Sequence, residues 1–182
     1  MLTLLILLLL AIGFYTGARR GLILQALYTF GYLCSYLVAK NYYKSLASHL
    51  ELYIPYPSPT AETKLVFFKQ ELTLDLDQAF YGAVAFLLIL IAGWLIVRLL
   101  AIFAHGLVFV PVLKQANWLA GGFISFLVIY IGIFLVLSTL SMLPVDAIQN
   151  QFKNSGFARF IVQDTPIFSK QIYHLWIEQM IK

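Results

Sequence analysis

The sequence predicts an all-α, polytopic membrane protein with four transmembrane helices plus amphipathic surface helices. Of its 182 residues, 62% are hydrophobic and 11% charged, against roughly 45–50% and 25% in ordinary soluble domains. Polar surface is too scarce to coat a water-borne globule, and the mean hydropathy of +0.88 agrees. The apolar residues also gather into runs over about 1–18, 22–40, 79–104 and 118–143, near the ~20 residues that cross hydrocarbon as a helix. Cations, aromatics, prolines and glycines punctuate the run ends, as interface residues and helix breakers do.

The first run, Met1–Tyr15, is almost all Leu and Ile. As a helix it is about 22 Å long, short of the ~30 Å core unless Thr16–Ala18 prolong it. A cleaved signal peptide is the competing reading. Its basic residues should precede the apolar core, whereas here Arg19 and Arg20 follow it, so a retained span is expected. Thr16-Gly17-Ala18-Arg19-Arg20-Gly21 is the predicted hinge. Two adjacent guanidiniums hold it at one membrane face, and Gly17 and Gly21 supply backbone freedom for a reversal.

In the second run Tyr28, Tyr32 and Tyr36 recur every four residues, with Gln25 just before them. Beside them Gly31, Ser35 and Ala39 form a small-residue stripe suited to close helix packing. The tyrosines read as packing residues bonded to a neighbour, or alternatively as a polar lining for a solute. Cys34, the only cysteine, excludes an internal disulfide and reads as a small packing residue. Lys40-Asn41-Tyr42-Tyr43-Lys44 reads as an interface belt. A loop with a surface helix is expected over 45–77, interrupted at Pro55, Pro57 and Pro59, with Leu65, Phe68, Leu72 and Leu76 on one face.

In the third run Trp94 stands one turn before Arg98, a pair suited to anchoring a helix end at head groups. The fourth opens on Asn117-Trp118-Leu119-Ala120-Gly121-Gly122 and stops at Pro144. Gly121, Gly122 and Ser125 form its close-packing surface. The tail, 144–182, is expected to be amphipathic. Asn154 or Ser155 starts a short helix, and Thr165-Pro166 caps a last one. The whole reads as a single membrane domain, 1–182, with both termini on one side. Cations flank both faces, so charge does not set the orientation.

Several functions are excluded or left without support. The net charge of +4 is mild and scattered, so nucleic acid is not an expected partner. His49, His105 and His174 stand far apart without cysteine or acid partners at ligand spacing, so neither metal nor cofactor is expected. Ser138, Ser141 and Asp146 are neighbours in sequence, but Pro144 intervenes and no histidine is close, so no enzyme is expected. The partners expected are the bilayer and other membrane proteins or a second copy. The alternative is a small oligomeric transporter or channel lined by Gln25, the tyrosines and Arg98.

Arg20-Gly21-Leu22-Ile23-Leu24-Gln25-Ala26-Leu27, Ala39-Lys40-Asn41-Tyr42-Tyr43 and Asn117-Trp118-Leu119-Ala120-Gly121-Gly122-Phe123 together resemble the colicin V production protein family of bacterial inner-membrane proteins. The stretch Asn154–Ile161 and Pro166 fit it more loosely. Two charges frequent in that family are replaced here, by Thr3 in the first span and by Ser125-Phe126 in the last. The resemblance implies the bacterial cytoplasmic (inner) membrane and a part in bacteriocin production or export and envelope upkeep, without an agreed biochemical activity.

Overall fold

The computed structural model describes residues 1–57, 59, 65–68, 72, 75–103 and 114–181. Helices α1 (Leu2–Arg20), α2 (Leu22–Leu50), α3 (Leu76–Phe103) and α4 (Lys114–Ser141) are long and apolar enough to cross a membrane. Short helices α5 (Asp146–Lys153), α6 (Gly156–Asp164) and α7 (Phe168–Tyr173) follow, and α7 runs on into a wider π turn, His174–Glu178. The first helix does continue through Thr16–Ala18. Its 19 residues reach about 28 Å, close to the ~30 Å of the hydrocarbon core. The second helix continues beyond the span expected over 22–40, along the helical face that Leu46 and Leu50 extend, and ends at Leu50. Most of the expected surface helix within 45–77 lies outside the described residues, and 65–68 are non-helical.

Contacts divide the chain into two compact units. One comprises Met1–Leu4, Asn41–Leu87 and Phe134–Lys182; the other comprises Leu5–Lys40 and Leu88–Ile133. The four long helices each contribute to both.

In the unit holding the termini, the core is aromatic. Phe86 meets Trp176 edge-on at 5.6 Å and Tyr43 at 6.0 Å. The Tyr43 hydroxyl donates to Leu175 O at 2.7 Å, and Lys44 Nζ donates to Gln179 O. Polar side chains close the helix ends. Gln149, buried, donates to Ser141 O and Leu143 O past the end of α4 and accepts from Val66 N. Ser141 O, the last carbonyl of α4, has no following helical amide to accept, so the Gln149 amide serves as a C-terminal cap. Ser155 accepts from Ala158 N, as expected of an N-cap, and its hydroxyl also bonds Thr3 Oγ1 at 2.8 Å.

Thr165-Pro166 departs from expectation. The Thr165 hydroxyl donates back to Ile161 O and closes α6, while α7 begins only at Phe168, behind Ile167 at φ 68°. A threonine hydroxyl can donate to a carbonyl one turn back, and here it does so to the earlier helix.

Tyr56 donates to Met142 O at 2.7 Å. Burial first, then the charges of Asp77 and Tyr81, push its pKa up to about 12 from the ordinary 10. The folded state therefore holds the neutral phenol more firmly than the unfolded chain does. Its stabilisation is complete below pH ~10 and is lost as pH rises towards ~12. Unfolding in detergent, followed by circular dichroism, should show a loss of stability across that window which is smaller in Tyr56→Phe.

Candidate functional site

The other unit is organised by glycines. α1 lies antiparallel against α4. Gly13 meets Ile129, Gly17 meets Ser125 and the Gly121 carbonyl, and Gly121 in turn meets the backbone of Gly17 and Gly21. A Cβ on Gly17 or Gly121 would overlap those atoms, so the two backbones touch only because both side chains are absent. Gly122 takes the edge of the Phe14 ring, and Phe14 meets Trp118 edge-on at 5.5 Å. Ser125 is buried in this contact, which leaves no room at that position for a long basic side chain.

The hinge is narrower than its sequence suggests. Gly17 is helical, and its role is packing rather than turning. Gly21 alone takes the left-handed backbone, φ 80°, which glycine adopts without strain. Asn117 covers it: its Oδ1 accepts the Leu22 amide at 2.6 Å, satisfying one of the orphan donors that open α2. Sequence reasoning placed Asn117 only at the head of the last span. Its signal, a polar residue beside paired glycines, does not say which distant amide it serves. Asn117→Ala should cost about 1–2 kcal/mol, read as a lower unfolding midpoint in detergent with helix content unchanged.

α2 lies antiparallel against α3. Gly31 meets the Val97 side chain, and Gly93 meets Ser35. Leu24, Tyr28 and Ala101 form a buried cluster, with Tyr32 and Val97 packed on it. The Gly31/Ser35 stripe is therefore filled from within the chain and is not open to another protein, and Ala39 is buried too. On the tyrosine face, Tyr28 is buried against α3 and Tyr32 is half-buried beside it. Gln25 is buried, and its Oε1 has no hydrogen-bond partner among the described residues. Tyr36 is half-buried. Cys34, expected inside the packing, is exposed.

The guanidiniums sit on aromatic faces. Arg19 stands 5.9 Å from the Tyr15 ring centre, Arg20 4.5 Å from that of Tyr28, and Arg98 5.0 Å from that of Trp94. Cation–π contact of this kind partly replaces lost water. Arg98 and Trp94 are both exposed, so this pair faces the surroundings of the unit rather than its interior. In the unit holding the termini, Ser141 Oγ donates to Ser138 O and Asp146 lies exposed in the first turn of α5.

Four membrane-length helices, packed on small residues and sheathed in exposed Leu, Ile and Phe, define a polytopic α-helical membrane protein. A family model described as colicin V production protein matches residues 2–166. An uncharacterized transmembrane protein of Bacillus subtilis (strain 168), YshB, is 35% identical over 179 residues, 98% of this chain and 98% of that one. The chain belongs to the colicin V production protein family. No solved structure matches it.

Proposed function

We propose that this protein is a non-enzymatic component of the bacterial cytoplasmic membrane. It assists bacteriocin production or export and envelope homeostasis by contacting other membrane proteins. Family membership supports the link to colicin V production. One structural observation supports the contact role. Only 11% of the most apolar window of α3 is buried within the chain, the smallest share of the four spans. At 100° per residue, Val97 and Ala101 mark its packed stripe, whereas Ala92, Ile96, Leu99 and Phe103 gather on another arc and are all exposed. A span held along one narrow stripe has most of its circumference left for lipid or a neighbouring helix.

A photo-crosslinking residue at Ile96 or Phe103, in cells producing the protein, should capture a second membrane protein. The same residue at Val97, which packs on the Leu24–Tyr28–Ala101 cluster, should not. Lipid adducts alone at both exposed positions would overturn the proposal.

A further inference from the structure

The charges of this chain are divided unevenly. Its Asp and Glu residues all lie outside Leu5–Lys40 and Leu88–Ile133, whereas those segments carry Arg19, Arg20, Lys40, Arg98 and Lys114. The unit they build thus has cations and no acid of its own. Two of the cations, Arg20 and Arg98, border the same tyrosine pair. Arg20 lies over Tyr28, the Tyr28 and Tyr32 ring centres are 6.1 Å apart, and Arg98 directly follows Val97, which packs with Tyr32 on the Leu24–Tyr28–Ala101 cluster. Arg98 also stands well away from the hinge. Val97 meets Gly31 and Ala101 packs with Leu24 and Tyr28, so Arg98 stands beside residues about six to nine positions into α2, roughly 9–13 Å along it. An exposed guanidinium at that depth is costly unless an anion reaches it.

We propose that Arg20 and Arg98, with the Tyr32 hydroxyl, bind the phosphodiester headgroup of one anionic phospholipid. A guanidinium presents planar N–H donors matched to phosphate oxygens, and two of them can grip separate oxygens of one group. A lipid fits better than a free anion because the surface around Arg98 is apolar. Ile91, Trp94, Leu95 and Leu99 are all exposed there, and an acyl chain covers them while its headgroup meets the cations. A headgroup without its own ammonium fits better than a zwitterionic one, because nothing in it repels the paired arginines.

The test uses the full chain in mild detergent and native mass spectrometry, titrated with phosphatidylglycerol, phosphatidylcholine or inorganic phosphate. One phosphatidylglycerol should be retained per chain, with phosphatidylcholine at least about tenfold weaker. Arg98→Gln should lower phosphatidylglycerol retention about tenfold, the worth of one charge-assisted contact, and Arg20→Gln should act in the same direction. Lys40→Gln should leave retention unchanged. Arg98 is exposed, so its variant keeps the helix packing, and unchanged circular dichroism checks this. Equal retention of the two lipids, indifference to Arg98→Gln, or displacement of the lipid by inorganic phosphate would each sink the proposal. So would a crosslinker at Leu95 that captures an acidic membrane protein in place of lipid.

Discussion

Gly17→Leu should leave almost no correctly folded protein. A Cβ at this position overlaps Ser125 Cβ and the Gly121 carbonyl, and the rest of a leucine side chain has nowhere to go between the two helix backbones. Forcing extra carbons into such a contact costs about 1–3 kcal/mol where neighbours can shift, and more where the obstacle is backbone, as here. A total near 3 kcal/mol or above is a large part of the stability of a small domain. Gly121→Leu should behave alike, since its Cβ meets the Gly17 carbonyl and the Gly21 backbone. Gly132 is the control in the same helix: a Cβ there would meet nothing within 4 Å, so Gly132→Leu should change stability by no more than about 0.5 kcal/mol. Size-exclusion profiles and unfolding midpoints in detergent measure all three. Normal unfolding of Gly17→Leu would show that α1 and α4 do not meet through these glycines.

Trp176→Ala should cost about 3–5 kcal/mol, the usual range for deleting a large buried aromatic. Trp176 is 0% exposed and meets Phe86, which also meets Tyr43. Removing the indole leaves a hole beside the π turn and loosens the Tyr43 hydroxyl's bond to Leu175 O. Limited proteolysis should then cut the tail well before the four long helices. Trp176→Phe separates packing from polarity. The indole Nε1 has no hydrogen-bond partner among the described residues, so the phenyl ring gives up volume but no hydrogen bond. Its cost should stay within about 1.5 kcal/mol. A Phe variant as labile as the Ala variant would mean that Nε1 does have a partner.

The places where sequence reading fell short share a cause. Gly17 and Gly21 flank the same guanidiniums and look equivalent in the chain, yet one is packing and the other turning. The difference lies in what stands opposite each: Ser125 and Gly121 face the first, and Asn117 faces the second. The Gly31/Ser35 stripe announced a close neighbour, but nothing local says whether that neighbour is another protein or α3 of the same chain. Cys34, between two packing positions, proved exposed because 3.6 residues per turn carry it away from the stripe. Gln149 gave no warning at all. Its amide matters only because the end of α4 and Val66 converge on it.

Composition and the length of the apolar runs determined the solvent and the helical class of this protein, and short motifs carried its resemblance to the family. Those properties depend on how many apolar residues stand in a row and on short motifs, and both are written along one dimension. Tertiary structure alone decided which small-residue face is occupied, that Asn117 holds the start of α2, and that Arg20 and Arg98 border one tyrosine pair in a unit without acids. Such outcomes depend on atoms distant in the chain coming within a few ångströms, and the energy of a cap, a backbone contact or a buried charge is set by that distance.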